Sequence, residues 1–243
     1  MNLSSEYDRW HERVAGLDVQ NADENSPWYR LLLEYVGPIQ DKRVLEIACG
    51  RGGFTNLLSL RAALVIGADF SLAALQIASK RAMQNGGNRS SMALTQADAQ
   101  SLPFADNSFD IVISCETIEH LPDPLSALKE MARVCRTGGQ LFLTTPNYFN
   151  AMGLYYIYAQ VRHRKATPGA DQPLDRVFLF PKIRRMIERG GWEIIRSDGT
   201  VHQFPFPGRE PIRIHFLERN PAVRRLLGIF ALHHFVLARK KAS

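Results

Sequence analysis

The sequence lacks the features that identify secreted, disulfide-bonded and membrane-spanning proteins. Its 243 residues include three cysteines, Cys49, Cys115 and Cys135, an odd number without the CxxC spacing of redox or metal sites. The first eight residues show no basic start leading into an apolar stretch, and no uncharged apolar run is long enough to cross a bilayer. These absences predict reduced thiols and a cytoplasmic protein.

Internal repeats and low-complexity tracts are missing as well, which argues against solenoid and disordered architectures. The composition, 45% hydrophobic and 22% charged, is ordinary for a globular protein. The length suits one α/β domain with a well-buried core and is too short for two large ones. We therefore predict a single domain over residues 1–243.

Charge is unevenly distributed along the chain. Residues 1–140 carry 13 Lys/Arg against 17 Asp/Glu, whereas residues 141–243 carry 17 against 7, within a net charge of +6. A basic C-terminal part would attract an anionic substrate, an anionic membrane surface or nucleic acid. The alternative interpretation is that these basic residues form a solvent-exposed surface that binds no partner.

Short apolar runs alternate with helix-forming segments, an order typical of a parallel sheet covered by helices. Ser71 and Asp123 are placed to cap two of these helices. The pattern predicts an α/β fold with a doubly wound, seven-stranded, mostly parallel sheet. The predicted strands are residues 43–49, 64–69, 92–97, 109–115, 140–145, 192–196 and 229–239.

Other segments depart from this alternation and are expected to cover the sheet. Residues 1–40 are predicted to form a helical cover over a cofactor-binding core of residues 41–146. Residues 147–180 and 200–225 are predicted insertions on the substrate side. The first insertion is rich in tyrosine and includes a basic cluster at residues 162–165, which would suit an anionic group on the acceptor.

The carboxyl ends of the predicted strands carry the residues most suited to binding a ligand. Gly50 and Gly52 follow the first strand and allow a ligand to lie against the main chain. Asp69 stands 19 residues beyond Gly50, the placement of a carboxylate that accepts hydrogen bonds from ribose hydroxyls. These residues fit both NAD and S-adenosylmethionine.

Two residues near the glycine turn favour S-adenosylmethionine. Position 55 is a threonine, so the dinucleotide fingerprint G-x-G-x-x-G that would begin at Gly50 is incomplete. Glu46 would repel a pyrophosphate but would suit a ligand that carries ammonium and sulfonium groups. A helix-capping role is the structural alternative for Glu46.

Four ordered motifs resemble those of a known family. They are residues 44–52 (VLEIACGRG), 69–71 (DFS), 97–104 (ADAQSLPF) and 109–121 (FDIVISCETIEHL). Together they resemble the class I S-adenosylmethionine-dependent methyltransferases, in the group of quinone-biosynthesis and small-molecule enzymes. The resemblance is strong over residues 40–147, and Ala48 replaces the usual first glycine of the first motif.

The resemblance implies a Rossmann-like methyltransferase fold and S-adenosylmethionine as cofactor. It assigns the methionine part to Glu46 and the two glycines, the ribose to Asp69 and the adenine amino group to Asp98. It also places Tyr7 where many relatives fold an N-terminal helix over the cofactor, although an ordinary packing role is as plausible. The residues expected to contact the cofactor are Glu46, Ala48, Gly50, Gly52, Asp69, Phe70, Ser71, Asp98, Ala99 and Cys115.

His120, just past the fourth predicted strand, is the best-placed histidine to act as a base on a hydroxyl acceptor. With Glu116 and Glu119 it spells E-x-x-E-H, which would bring three side chains to one face of a helical turn. Similar motifs hold a metal in some O-methyltransferases, but a fourth ligand is not apparent. We therefore predict His120 as the catalytic residue and assign no metal.

The residues after the fourth strand indicate the kind of acceptor. The Asn/Asp-Pro-Pro-aromatic motif of enzymes that methylate base amino groups is absent there, which favours an oxygen or carbon acceptor. We expect a small molecule with an anionic or lipid-linked portion, with nucleic acid disfavoured as a partner and peripheral membrane contact left open. The alternatives are an RNA methyltransferase and a non-catalytic S-adenosylmethionine-binding protein.

Overall fold

The structure, a computed structural model, describes residues 3–14, 27–84, 88, 90–155, 158, 172–200, 202–206, 209–214 and 220–242. The basic cluster predicted at residues 162–165 lies outside these ranges. The α-helices are α1 (Leu3–Arg13), α2 (Pro27–Val36), α3 (Gly53–Ser59), α4 (Leu72–Gln84), α5 (Pro124–Val134), α6 (Phe180–Arg189) and α7 (Pro221–Leu227), and residues 151–155 are also helical. The strands are β1 (Arg43–Ile47), β2 (Leu64–Asp69), β3 (Met92–Gln96), β4 (Phe109–Cys115), β5 (Cys135–Pro146), β6 (Trp192–Thr200), β7 (Gln203–Phe206), β8 (Arg209–Arg213) and β9 (His233–Lys240).

Seven of these strands form one sheet in the order β3-β2-β1-β4-β5-β9-β6. Strands β1 to β5 pair in parallel, whereas β9 is antiparallel to both of its neighbours, β5 and β6. Strands β7 and β8 form a separate hairpin within the second predicted insertion. The predicted seven-stranded, mostly parallel sheet is confirmed.

Helices cover both faces of the sheet, as its apolar strands require. On one face Leu128 and Met131 of α5 and Ile183 of α6 pack with Trp192, whose indole Nε1 donates to the Leu128 carbonyl at 3.0 Å. On the other face α2 and α3 pack against the sheet through a second cluster that includes Leu32 and Leu58. No described helix is long and apolar enough to cross a membrane.

The starts of two strands differ from the sequence prediction, and β6 runs on to Thr200 where the prediction ended at residue 196. The predicted fifth strand starts at Gln140, but β5 begins at Cys135, with its pairing to β4 interrupted before it resumes at Gln140. Gly138, at φ 71°, supports this irregular backbone. The predicted last strand starts at Ile229, but residues 228–230 form a 3₁₀ helix and β9 begins at His233. Apolar patterning alone does not distinguish such a turn from the start of a strand.

Gly52 joins the first βα turn to the packing of two helices. It has a left-handed backbone, φ 70°, and a Cβ at this position would lie 2.7 Å from the Cβ of Ala78 in α4. Gly37 has the same φ of 70°, but no atom lies within 4 Å of a Cβ built there. An alanine at either position would have a strained backbone, but only at position 52 would its Cβ also overlap a neighbouring atom.

We predict that Gly52→Ala destabilises the fold more than Gly37→Ala does. Both substitutions place an alanine in the left-handed backbone conformation, which lowers the free energy of unfolding by about 1 to 2 kcal/mol. At position 52 overpacking against Ala78 adds about 1 to 3 kcal/mol. Urea unfolding of the two variants measures the difference, and equal losses of unfolding free energy would show that α3 and α4 are not in close contact there.

Candidate active site

A cavity of 720 Å³ opens at the carboxyl ends of the parallel strands. Its wall is formed by residues that follow β1, β2, β3 and β4, by the first residue of β9 and by α1. This edge of an open α/β sheet is where ligands bind, and the volume suits a ligand of cofactor size.

In the turn after β1, residues with small side chains or none leave the backbone exposed to the cavity. Ala48 and Gly50, with φ values of 53° and 52°, are both left-handed and both line the wall. The Gly50 amide donates to Asp69 Oδ2 at 2.7 Å, and the Ser71 amide donates to Asp69 Oδ1 at 2.8 Å. Asp69 therefore fixes both turns.

Glu46 is a buried carboxyl group at the cavity wall, with 5% of its surface exposed. The Thr55 hydroxyl donates a short hydrogen bond to its Oε2. Burial raises the pKa of Glu46 from 4.5 to about 8, the Thr55 hydrogen bond opposes this shift, and the nearby charge of Asp69 adds to it. A ligand carrying a positive group would offset this cost, so the site fits a cationic group beside Glu46.

Helix α1 lines one side of the cavity. Tyr7 and Trp10 line the wall beside Phe70, with the Tyr7 and Phe70 rings edge to face at 6.5 Å between centroids. Asp8 ties α1 to the start of α4 by accepting from the Ser71 hydroxyl at 2.6 Å and from the Ala73 amide at 3.1 Å. Since a helix N-terminus favours a negative charge, this contact holds α1 in place.

His120 also lines the cavity, in a 3₁₀ turn that follows β4. Its Nδ1 lies 2.6 Å from the Leu174 carbonyl oxygen, which can only accept, so Nδ1 carries the proton. Nε2, which lies 3.7 Å from Glu119 Oε1, is therefore the nitrogen that can accept a proton. The same carbonyl accepts from the Tyr7 hydroxyl at 3.3 Å, which connects α1 to this histidine.

Glu119 does not join His120 in a ligand set. Its carboxyl group is buried, with Oε2 accepting from the Thr145 hydroxyl at 3.0 Å. Burial, together with the charge of Glu116, raises the pKa of Glu119 well above its usual range. Within the described ranges no three His, Cys, Asp or Glu side chains are arranged to hold a metal ion.

Glu116 pairs with a histidine that the sequence did not indicate. His233 Nδ1 lies 3.0 Å from Glu116 Oε2, although the residues are 117 positions apart, and both side chains line the cavity. His233 is the first residue of antiparallel β9, so it pairs with Pro146 at the end of β5. No local pattern marks His233, and only the direction of the last strand could have indicated it.

Eight of the ten predicted cofactor contacts line the cavity: Glu46, Ala48, Gly50, Asp69, Phe70, Asp98, Ala99 and Cys115. Asp98 is held by Gln100, whose backbone amide donates to Asp98 Oδ1 at 2.8 Å. Gly52 and Ser71 stand behind the wall. Gly52 packs on α4, and Ser71 caps α4 by accepting from the Ala74 amide at 3.1 Å, as predicted for that cap.

The chain matches a family model described as a methyltransferase domain over residues 45–143. It is 35% identical over 171 residues to the demethylmenaquinone methyltransferase of Renibacterium salmoninarum, covering 69% of each chain. It is 28% identical over 213 residues to the demethylmenaquinone methyltransferase of Staphylococcus aureus (strain JH9), covering 80% of this chain and 83% of that one.

Solved structures share the fold at lower sequence identity. An S-adenosylmethionine-dependent methyltransferase from Aquifex aeolicus superposes with a TM-score of 0.64 at 16% identity, covering 95% of this chain and 98% of that chain. The [4+2]-cyclase SpnF superposes with a TM-score of 0.68 at 18% identity, covering 99% and 97%. With the sequence relatives, these findings show that the chain belongs to the class I S-adenosylmethionine-dependent methyltransferase family. It is a methyltransferase, and its cofactor is S-adenosylmethionine.

We predict that Glu46→Gln changes both stability and cofactor affinity. Because burial raises the pKa of Glu46 to about 8, its carboxyl group stabilises the fold fully below its unfolded pKa. That contribution is lost as the pH rises from about 4.5 to about 8, at up to roughly 1.4 kcal/mol per pH unit. Without cofactor, the variant should therefore be the more stable protein at pH 8, yet bind S-adenosylmethionine more weakly.

Urea unfolding from acidic to mildly alkaline pH, with calorimetry of cofactor binding, measures both effects. Glu193→Gln, at an exposed position of β6, is the matched control. Parallel stability curves for Glu46→Gln and the parent protein would contradict the assigned ionisation.

Proposed function

We propose that this enzyme methylates an oxygen or carbon of a small-molecule acceptor with an acidic ring hydroxyl, of which a quinol is the leading candidate. The observation that carries the proposal is His120, which lines the cofactor-sized cavity and whose Nδ1 donates to the Leu174 carbonyl, leaving Nε2, 3.7 Å from Glu119 Oε1, as the nitrogen that can take up a proton. Two relatives named for demethylmenaquinone support the choice of a quinol.

In this proposal the cofactor lies along the ends of β1, β2 and β3. Glu46 and the turn of Ala48 and Gly50 hold the methionine part, and Asp69 accepts from the ribose hydroxyls. Asp98 accepts from the adenine amino group. Phe70, Ala99 and Cys115 complete the wall, while Gly52 and Ser71 keep the two turns in shape.

S-adenosylmethionine, when bound, supplies an electrophilic methyl group on a sulfonium. Because in-line transfer needs no covalent enzyme intermediate, the protein acts mainly by holding the two reactants in position. His120 removes the hydroxyl proton of the acceptor and so raises its nucleophilicity. Helix α1 excludes water above the cofactor through Tyr7 and Trp10.

The remaining segments form the acceptor side in this proposal. Residues 1–40 cover a core of residues 41–146, and the insertions at 147–180 and 200–225 determine which acceptor enters. The basic surplus of residues 141–243 attracts an anionic or lipid-linked acceptor, including one presented at a membrane surface.

We expect Asp69→Ala to weaken cofactor binding by about 1 to 3 kcal/mol, because the ribose hydroxyls lose a charged acceptor. Calorimetry with S-adenosylhomocysteine measures the change. Asp98→Ala should weaken binding less, since a single amino group then loses its partner. Undiminished binding by a correctly folded Asp69→Ala protein would show that the ribose lies elsewhere.

His120→Asn should lower kcat by about 10² to 10⁴-fold and leave the affinity for S-adenosylhomocysteine unchanged, because the asparagine cannot take up a proton. Transfer of labelled methyl groups to reduced demethylnaphthoquinones, with simple catechols for comparison, measures turnover. Transfer to amino groups alone, or equal turnover by the variant, would be incompatible with His120 acting as the base on a hydroxyl.

A further inference from the structure

Large apolar side chains are exposed mainly beyond the cofactor-binding core. Fourteen of the described residues are large, apolar and exposed, and eleven of these follow Pro146. Five of them form what we call the apolar patch: Phe149, Val177, Leu179, Ile229 and Phe230, with exposed fractions from 39% to 49%. Single exposed apolar residues are ordinary on a protein surface, whereas a contiguous group marks an interaction site.

A buried asparagine joins the three segments that carry the patch. Asn147, which has no exposed surface, donates through Nδ2 to the Ile229 carbonyl at 2.9 Å. Its Oδ1 accepts from the Phe149 amide at 3.1 Å and from the Phe180 amide at 3.3 Å. The Phe149 and Phe230 rings stack with centroids 5.9 Å apart. The three segments therefore expose their apolar side chains next to one another.

The charges around the patch are mostly positive. Seven Lys/Arg and one acidic residue occur in the segments that carry or adjoin it, residues 147–155, 176–189 and 220–232. The acidic residue, Glu188, pairs with Arg184 at 3.0 Å. Lys182 in the first turn of α6 and Arg225 in α7 are both exposed. Apolar side chains flanked by basic ones complement an anionic lipid bilayer, which offers hydrocarbon and negative head groups together.

The patch adjoins the acceptor side of the cavity. Pro146 at the end of β5 pairs with His233 at the start of β9. His233 and Thr144 line the cavity. Phe149 follows Pro146 by three residues, and Phe230 precedes His233 by three. A ring whose apolar tail stays in a bilayer beneath the patch therefore has a short path into the cavity.

We propose that the apolar patch docks this enzyme on the surface of an anionic lipid bilayer. Its aromatic and aliphatic side chains enter the head-group region, while Lys182 and Arg225 contact lipid phosphates. A second copy of the chain fits less well, because a symmetric contact would bring two basic surfaces face to face. The inference rests on the proposed function for the choice of a lipid-linked acceptor.

Vesicle binding by the full chain tests the docking surface without methyl transfer. The parent protein should bind vesicles of phosphatidylcholine and phosphatidylglycerol more tightly than vesicles of phosphatidylcholine alone, and added salt should weaken the binding. Phe149→Ser combined with Phe230→Ser should lower the affinity for the mixed vesicles by about tenfold or more, because less apolar area enters the bilayer. The affinity of this variant for S-adenosylhomocysteine should equal that of the parent protein.

Leu60→Ser combined with Met83→Ser is the matched control. Leu60 and Met83 are 53% and 58% exposed and lie at the ends of α3 and α4, which lead into the amino ends of β2 and β3. That edge of the sheet is opposite the cavity, so the control should bind vesicles as the parent protein does. An equal loss of binding by the control would show that the patch is not the docking surface.

Charge reversal tests the same surface if the serine variant does not fold. Lys182→Glu combined with Arg225→Glu should lower the affinity for the mixed vesicles by about tenfold and reduce its dependence on salt. Lys80→Glu, at an exposed position of α4, should have a smaller effect. Unchanged affinity after charge reversal at positions 182 and 225 would contradict the proposed contacts with lipid phosphates.

Sedimentation velocity without vesicles detects a second copy as the occupant. The parent protein and the variant with serine at positions 149 and 230 should have the same sedimentation coefficient at every concentration. A dimer that forms in the parent protein and is lost in this variant would assign the patch to a contact between copies and overturn the proposal.

Turnover separates this proposal from the proposed function. With a quinol whose long prenyl tail is embedded in mixed vesicles, the serine variant should have a KM raised by about tenfold, while its kcat with a short-tailed quinol in solution equals that of the parent protein. If vesicles bind through the patch but no quinol is methylated, the acceptor assignment is wrong and the docking surface stands. If quinols are methylated but the parent protein does not bind anionic vesicles, the docking proposal is wrong and the proposed function stands.

Discussion

The parallel pairing of β1 with β2 on one side and β4 on the other determines where each functional side chain lies. β1 lies between β2 and β4, and all three strands run in the same direction, so the turns that follow them meet at one edge of the sheet. Glu46, Asp69 and Glu116 come together there although they are distant in sequence. The antiparallel β9 then brings its first residue to the same edge.

This constraint explains how much of the site could be predicted. Glu46, Gly50, Asp69 and Asp98 lie at or just beyond the carboxyl ends of apolar runs, and the order of these runs along the chain already indicates a parallel sheet. Their meeting at one edge is therefore a consequence of local patterns and one topological rule. The fold class could be predicted for the same reason, because continuous apolar strands such as β4 must be buried on both faces.

The unpredicted parts depend on geometry that no local pattern contains. His233 reaches the cavity because β9 runs against its neighbours, and its pairing with Glu116 depends on the left-handed backbone after β4. The early start of β5 at Cys135 depends on an interrupted pairing with β4. Such features arise from tertiary contacts, which override the preferences of short segments.

The shared carbonyl of Leu174 affects how the site tolerates change during evolution. The tautomer of His120 is set by a backbone oxygen, and every amino acid at position 174 supplies that oxygen. A side-chain acceptor could be deleted by a single substitution, whereas this one could be lost only if the path of the chain changed. Sequence drift at this position can therefore proceed while the protonation pattern of the histidine is inherited unchanged.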